Sequence, residues 1–333
     1  MRFTGYPYAA AAAVCALTLS ACSGNSISTT PAAPATTGGT NVVQPTSHAQ
    51  PQGGAKATAV YASDFYGKSV FRFVRNADGT LVTPAGSSLV LGYNPGAIAI
   101  GSSGVLFVAD EGNESIEVYP KDSSGYANAT RTLLLPFVPS AIAVDGAGYE
   151  YAGGFTNGYV AVYKPGAKGT ASTIQRIALP DKHVDINGLA IDSKGNLYVS
   201  DTNEISEFAT PRTNPTLVRA IVGTGQQNAP SGLALQTSGE LYAANAGDNN
   251  ILAYSPTANG YSAPDRTITS TNPALKFPNG VAVHGNVLYS TSGNSFDGPA
   301  SIFVLSTNQG SQTPKQVVTG SYLSSPYGVA VGP

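Results

Sequence analysis

The sequence has no tryptophan, two cysteines and few charges, and each shortage excludes something. Both cysteines, Cys15 and Cys22, lie near the start, so the rest of the chain has no thiol and no disulfide. Charged residues make up 11% of the chain and the formal net charge is -2, so no basic surface for nucleic acid is predicted. The chain also lacks a Gly-x-Ser-x-Gly nucleophile motif, a glycine-rich phosphate loop and the 3.6-residue apolar period of helical repeat proteins.

The N-terminus has the pattern of an export signal. Its apolar run over residues 9–19 is too short for a permanent membrane span. The run ends in Leu19-Ser20-Ala21-Cys22, which resembles the lipobox of bacterial lipoproteins. The resemblance implies that residues 1–22 are a lipoprotein signal peptide, that Cys22 is lipidated, and that the protein is exported and anchored in a membrane of the cell envelope. The alternative is an ordinary secretory leader in which Cys22 is incidental.

Residues 23–56 consist mainly of Ser, Thr, Pro, Gly, Ala and Gln. Such a segment has too few large apolar residues to bury a core, so we predict a disordered tether between the anchor and the domain. Ser23, directly after the predicted lipidated cysteine, favours the outer membrane if the organism has one.

A repeat organises residues 57–333 into one domain. Its clearest copy, INGLAIDSKGNLYVSD at residues 186–201, has two short apolar runs on either side of turn residues, as in a β-hairpin. Six copies are spaced 44 to 48 residues apart, and they begin at Pro95, Pro139, Ile186, Pro230, Pro278 and Pro326.

Each repeat unit predicts four strands, which is the size of one propeller blade. In the copy at Pro95 the predicted strands are residues 97–100, 105–109, 116–119 and 130–135. The first strand is apolar at nearly every position, as expected of an inner strand buried on both faces. Tyrosines recur in the second and third strands, and we expect them to pack between blades: Tyr61, Tyr119, Tyr151, Tyr163, Tyr198, Tyr242, Tyr254 and Tyr289.

The last copy ends after one strand, and the three missing strands are found at the start of the domain. Residues 59–64, 69–73 and 88–91 match strands two, three and four of a blade. We therefore predict an all-β, six-bladed β-propeller of four-stranded blades, in which one C-terminal strand pairs with three N-terminal strands to close the ring. Such closure removes free sheet edges between the first and last blades.

The consensus P-x-G-[IVL]-A-[IV]-x-x-x-G-x-[IVL]-[YF]-V-[AS]-D resembles the NHL repeat of six-bladed propellers. The copies at Pro95 and Ile186 match best, whereas the copy at Pro139 has Gly153-Gly154 where Asp is usual. The absence of tryptophan disfavours WD-repeat propellers. Pro-Asn-Gly at residues 278–280 also resembles the gluconolactonase and strictosidine-synthase-like superfamily. In the lactonases of that superfamily, asparagine and acidic side chains from several blades hold a divalent metal in the channel.

In propellers a ligand usually meets the loops that enter the inner strands. The residue after the repeat-opening position in each blade gives a candidate ring around the channel: Gly96, Ser140, Asn187, Ser231, Asn279 and Tyr327. The lactonase resemblance makes Asn187 and Asn279, together with Asp185, candidate ligands of Ca²⁺ or Zn²⁺. The competing interpretation is that both asparagines are turn residues that precede glycine.

Three further sets of residues have side chains suited to catalysis, stacking or capping. The repeat also loosely resembles the virginiamycin lyase-like propellers, which use a histidine and a bound metal, but His183 and His284 are predicted to lie on opposite faces. Tyr327, Tyr322 and Tyr93 are candidate stacking surfaces for a glycan. Acidic and amide residues after strand two are predicted to cap hairpins: Asp64, Asp110, Glu111, Asp201, Asn203, Asn245 and Asp248.

The sequence therefore predicts an exported, lipid-anchored monomer whose propeller binds a protein, peptide or glycan at the cell envelope. The alternative is a metal-dependent hydrolase or lyase of the lactonase kind, which would use Asn187 and Asn279 with Asp185 or another carboxylate. Binding without catalysis is the leading interpretation.

Overall fold

The computed structural model describes residues 59–82, 88–180, 185–222, 227, 229–293, 299–308 and 310–333. The predictions for the signal peptide, for lipidated Cys22, for the tether and for His183 lie outside these residues. Within them the strands form six sheets, and the helical structure is one 3-10 turn, Ala246–Asp248. No helix in this part of the chain is long and apolar enough to cross a membrane.

The six sheets are the six predicted blades. Blade 1 contains β1 Ala59–Asp64, β2 Ser69–Arg75, β3 Leu81–Val82 and β4 Ser88–Val90. Blade 2 contains β5 Pro95–Ile100, β6 Leu106–Asp110, β7 Ser115–Tyr119 and β8 Arg131–Leu134. Blade 3 contains β9 Pro139–Val144, β10 Glu150–Gly154, β11 Tyr159–Tyr163 and β12 Gln175–Ala178. Blade 4 contains β13 Gly188–Ile191, β14 Leu197–Ser200, β15 Ile205–Ala209 and β16 Thr216–Ile221.

The last two blades complete the series. Blade 5 contains β17 Pro230–Leu235, β18 Leu241–Asn245, β19 Asn250–Tyr254 and β20 Arg266–Ser270. Blade 6 contains β21 Pro278–His284, β22 Val287–Ser292, β23 Ser301–Ser306 and β25 Gln316–Thr319. Between β23 and β25 lies β24 Ser311–Gln312, which joins the sheet of blade 5, and the last strand is β26 Pro326–Gly332. The predicted all-β, six-bladed propeller is confirmed. The short strands β3 and β24 were not predicted. β3 pairs antiparallel with the end of β2, and β24 pairs in parallel with β20.

Pairing of the two ends of the chain closes the ring. β26 lies antiparallel to β1, with Val331 opposite Val60 and Val329 opposite Ala62. The same strand packs against the inner strands of blades 2 and 6, β5 and β21, so the six inner strands form an unbroken circle. The predicted closure by one C-terminal strand is therefore present.

Six buried apolar clusters hold the ring together, one at each seam between neighbouring blades. The aromatic residue of strand two enters the seam with the following blade in every case: Tyr61, Phe107, Tyr151, Tyr198, Tyr242 and Tyr289. Each tyrosine hydroxyl has a hydrogen-bond partner, as a buried phenol requires; Tyr289, for example, donates to the carbonyl of Gly79 at 2.8 Å. The prediction that these tyrosines are core residues is confirmed.

Glycine and small hydroxyl residues allow the inner strands to approach one another closely. A β-carbon at Gly232 would lie 2.7 Å from the carbonyl oxygen of Asn279 in the next blade, and one at Gly280 would lie 2.7 Å from that of Tyr327. Hydroxyl groups then link the blades, because Ser63 donates to Gly96 at 2.7 Å and Ser200 donates to the Ser231 carbonyl at 2.7 Å. The glycine of the repeat is thus explained by backbone contact between blades.

Candidate functional site

The six predicted ring positions meet where the inner strands begin, at one end of the central channel, which we call the channel mouth. A cavity of about 70 Å³ lies there. Five ring residues line it, and they are Ser140, Asn187, Ser231, Asn279 and Tyr327. The sixth, Gly96, contributes no side chain, and its neighbour Ala97 lines the cavity instead. The structure therefore places five of the six aligned positions around one cavity.

Two of the ring side chains are used in holding the blades together. Ser140 donates to the carbonyl of Ile186 in the next blade, and Ser231 donates to that of Asn279 at 2.8 Å. These hydroxyls repeat the interblade linkage of Ser63 and Ser200. Their role in the described structure is to fix the ring that carries the other positions.

The amides of Asn187 and Asn279 are free for a ligand as far as the described residues show. The backbone N–H of Asn187 donates to Ser200 at 2.9 Å, and the backbone carbonyl of Asn279 accepts from Ser231. Neither side-chain amide has a hydrogen bond within the described part of the chain, although both side chains are half-buried at the cavity. An amide in this position offers one acceptor and two donors to an incoming molecule. Asp185 is half-buried and does not line the cavity.

A second layer of side chains stands next to the ring, formed by the residue that follows strand two. In blade 1 this residue is Phe65, whose ring centroid is 6.4 Å from that of Tyr327. In blade 2 it is Glu111, whose Oε1 lies 2.5 Å from the place that a β-carbon would take at Gly96. The equivalent residues of blades 3 to 6 are Phe155, Thr202, Ala246 and Gly293. The structure thus places an aromatic side chain beside the ring in blade 1 and an acidic one in blade 2.

Glu111 is an unusual carboxylate. Its Oε1 atom is buried and has no hydrogen-bond partner in the described structure. Burial, and next the charge of neighbouring Asp110, raise the pKa of Glu111 to about 7. Near neutral pH the group is therefore able to hold or release a proton beside the channel mouth.

Aromatic surface continues outward from the ring. Phe65 contacts Tyr66 edge to face, with ring centroids 5.2 Å apart, and Tyr66 is 60% exposed. The other two candidate stacking residues point elsewhere. Tyr322 packs on Phe71 with centroids 5.2 Å apart, and the hydroxyl of Tyr93 meets that of Tyr119 at 3.1 Å in the seam between blades 1 and 2. Of the three tyrosines singled out in the sequence, Tyr327 alone lines the cavity.

Most acidic residues after strand two cap hairpins, as predicted. Asp110 accepts from the N–H groups of Gly112 and Asn113 at 2.9 and 3.0 Å, and Asp201 accepts from those of Asn203 and Glu204. Glu111 departs from this pattern because its carboxylate turns toward Gly96. Grouping Glu111 with the caps therefore missed it as a candidate site residue. One feature of the sequence could have singled out Glu111: the ring position of its blade is glycine. The space that a side chain at Gly96 would fill is occupied by the Glu111 carboxylate.

Metal-ligating side chains are sparse. Among the described residues, no three side chains of His, Cys, Asp or Glu come together as a metal site. His284 ends β21, at the opposite end of the inner strand from the channel mouth, and burial lowers its pKa. Its predicted counterpart on the other face, His183, is outside the described residues.

The architecture defines the class of the protein as a six-bladed β-propeller. No protein-family model matches the sequence, and no curated protein matches it significantly, so the resemblance to NHL repeats stays a prediction. A protein of unknown function from Bacteroides caccae has a TM-score of 0.59 at 12% identity, covering 82% of this chain and 98% of its own. A streptogramin B lyase has a TM-score of 0.54 at 16% identity, with 87% and 89% covered.

A third similar structure is the WD40 β-propeller domain of Doa1, with a TM-score of 0.55 at 12% identity and 83% of each chain covered. One of the three similar proteins has no known function, one is a lyase and one is a WD40 domain. At these identities the likeness concerns the fold.

Proposed function

We propose that this protein is an exported, lipid-anchored binding module of the bacterial cell envelope, and that the channel mouth holds its ligand. The ligand is a protein, a peptide or a glycan, and the chemistry of the mouth fits a glycan best. The export signal and lipobox pattern of residues 1–22 support the location. The observation that carries the binding role is the pairing of two unbonded amides, Asn187 and Asn279, with the aromatic surface of Tyr327, Phe65 and Tyr66.

A glycan matches this arrangement for physical reasons. Sugar rings present apolar C–H faces that pack on aromatic side chains, and their hydroxyl groups need partners that both donate and accept hydrogen bonds. The exposed ring of Tyr66 supplies the first, and the two amides supply the second. The rigid closed ring fixes these groups before binding, which lowers the entropic cost of association.

The first test is affinity capture. The purified protein is incubated with insoluble peptidoglycan, washed, and quantified in the pellet beside variants Asn279→Ala and Tyr66→Ala. We expect the unaltered protein to sediment with the polymer and each variant to be depleted at least fivefold. Tyr126→Ala is the matched control, because Tyr126 is 87% exposed and lies in the connection after strand three, on the opposite face. Equal sedimentation of all four proteins would overturn a glycan site at the mouth.

A second function, metal-dependent hydrolysis or elimination, is favoured by one observation. The carboxylate of Glu111 turns toward the ring that also contains Asn187 and Asn279, and the raised pKa of Glu111 suits a proton-transfer role near neutral pH. The atoms at the mouth that could ligate a metal are oxygen atoms, whether or not Asp185 is included. Such a set fits the hard cation Ca²⁺ better than Zn²⁺, for which nitrogen and sulfur ligands are commoner.

Calorimetric titration of Ca²⁺ and then Zn²⁺ into chelator-stripped protein distinguishes the two functions. One saturable calcium site that is lost in Glu111→Gln and in Asn279→Ala would favour the enzyme. Absence of heat with both ions, together with peptidoglycan capture that survives a chelator, would favour the binding module.

A further inference from the structure

The outer strand of most blades is clasped by the connection between strands three and four of the next blade. In blade 2 the N–H of Leu134 donates to Gly169, and the N–H of Gly169 donates to Thr132, both at 2.8 Å. Gly125 pairs with blade 1 in the same way, and Gly260 pairs with blade 4. In blade 5 the N–H of Thr269 donates to Gly310 at 3.0 Å. We call this arrangement, a glycine-containing segment parallel to an outer strand, the interblade clasp.

A side chain near the start of the outer strand completes the clasp. Arg219 donates to the carbonyl of Ala258 at 2.6 Å, and Arg266 donates to that of Thr307 at 3.0 Å. Arg131 makes the same contact with Ala167. In blade 6 the position is Gln316, whose amide accepts from the N–H of Leu81 at 2.6 Å and donates to its carbonyl at 2.9 Å.

Blade 3 breaks this series. The positions equivalent to Leu134 and Thr132 are Ala178 and Arg176, and no residue of blade 4 hydrogen-bonds to them within the described structure. Gln175, which occupies the position of Gln316, reaches only the adjacent carbonyl of Arg176, at 3.4 Å. The outward N–H of Ala178 and the amide of Gln175 are therefore an unfilled copy of a clasp.

The cause lies in the length of the next connection. In blade 4 it covers residues 210–215, whereas the clasping connection of blade 5 covers residues 255–265. The short segment of blade 4 packs on a different part of blade 3. Its Arg212 stacks on Tyr149 at 4.8 Å and lies 3.6 Å from the carboxylate of Asp145. It meets the first hairpin of blade 3, and among the described residues nothing pairs with the outer edge.

An open strand edge is a ready partner for another extended backbone. We propose that the outer edge of β12 binds an extended, glycine-containing peptide segment of a partner protein, parallel to the strand. The glycine lies against Arg176 and Ala178, and the Gln175 amide holds one peptide group of the partner as Gln316 holds Leu81. The chain itself shows the occupant chemistry, since its own clasps seat glycine segments on equivalent edges. This rim site is separate from the channel mouth and does not depend on the ligand there.

The probe is a fluorescein-labelled synthetic peptide with the sequence of residues 255–265, titrated with the full-length protein and followed by fluorescence anisotropy. We expect saturable binding that weakens at least tenfold in Ala178→Pro, which removes the outward N–H, and severalfold in Gln175→Ala. Proline is tolerated at an edge strand where the N–H points outward, and thermal unfolding checks each variant. A filled-edge variant, with residues 210–215 replaced by the sequence of residues 255–265, should lose binding because its own loop occupies the edge.

Lys168→Ala, in the neighbouring exposed loop, is the control and should bind the peptide as the unaltered protein does. Absence of saturable binding, or binding by Ala178→Pro and the filled-edge variant as tight as that of the unaltered protein, would overturn the site. Concentration-dependent dimerisation that Ala178→Pro abolishes would overturn the assignment to a foreign partner, since the occupant would then be a second copy.

Discussion

Asp64 accepts two hydrogen bonds from Ser324, a residue 260 positions later in the chain: one from its backbone N–H at 2.7 Å and one from its hydroxyl at 2.8 Å. A third comes from the N–H of Ser325 at 2.8 Å. The carboxylate is fully buried and also caps its own hairpin at Gly67. One side chain thus joins the first described strand to the segment that leads into the last, next to the seam that closes the ring.

We expect Asp64→Ala to lower the free energy of unfolding by about 3 kcal/mol, because buried N–H groups lose a charged acceptor. Asp110→Ala is the matched control: it removes a cap of the same kind within one hairpin and should cost about 1 kcal/mol. Urea denaturation measures both. Equal losses would show that Asp64 contributes nothing to closure beyond its hairpin.

Deletion of residues 326–333 tests the closure more severely. It removes the partner of β1 and uncovers the seams on both sides of blade 1. We expect the truncated protein to lose its cooperative thermal transition. An unchanged melting temperature would contradict a ring held by β26.

Contact between inner strands predicts a glycine requirement. A β-carbon at Gly188 would meet the backbone carbonyl oxygen of Ser231, which cannot move without shifting the next blade. Gly188→Ala should therefore destabilise the protein by about 2–3 kcal/mol, the range for overpacking. Gly92→Ala, with nothing within 4 Å of the added carbon, should stay within about 0.5 kcal/mol of the unaltered protein. Calorimetric unfolding of the pair provides the comparison, and similar melting temperatures would contradict the close approach.

Glu111 predicts a pH dependence of stability. Its pKa rises from 4.5 in the unfolded chain to about 7 in the fold, so the folded protein binds the proton more tightly. Stability therefore falls as pH rises from about 4.5 to about 7 and levels off above, by an amount on the order of 3 kcal/mol. Glu111→Gln lacks this titration. The free energy of unfolding of the variant, relative to that of the unaltered protein, should therefore increase between pH 4 and pH 7.5. A constant difference in melting temperature across that range would show that Glu111 ionises normally.

The sequence predicted the architecture because the fold repeats itself. Six copies of one pattern fixed the blade number, the inner strands and the tyrosines of the seams, and the incomplete last copy revealed how the ends pair. Glu111 and Phe65 were harder to place. Both follow strand two, but their direction depends on whether the ring position of the adjacent inner strand is glycine, as at Gly96, or tyrosine, as at Tyr327. The open edge of blade 3 was likewise hidden, since it results from the path of the short connection at residues 210–215.

The proposed membrane anchor rests on Cys22 and is tested by metabolic labelling with a palmitate analogue in a bacterial host. The unaltered protein should incorporate the label and fractionate with membranes. Cys22→Ser should lose both properties, whereas Cys15→Ser, within the predicted signal peptide, should retain them. Membrane fractionation of Cys22→Ser without label would contradict a lipid anchor at this residue.

The central claim is that the channel mouth binds a glycan through its free amides and aromatic surface. Its most direct test is calorimetric titration of muropeptides, released from peptidoglycan by a muramidase, into the unaltered protein and into Asn187→Ala, Asn279→Ala and Tyr126→Ala. We predict one saturable site that is weakened at least tenfold by each asparagine variant and unchanged by Tyr126→Ala. Absence of binding, or binding that both asparagine variants retain in full, would contradict the claim.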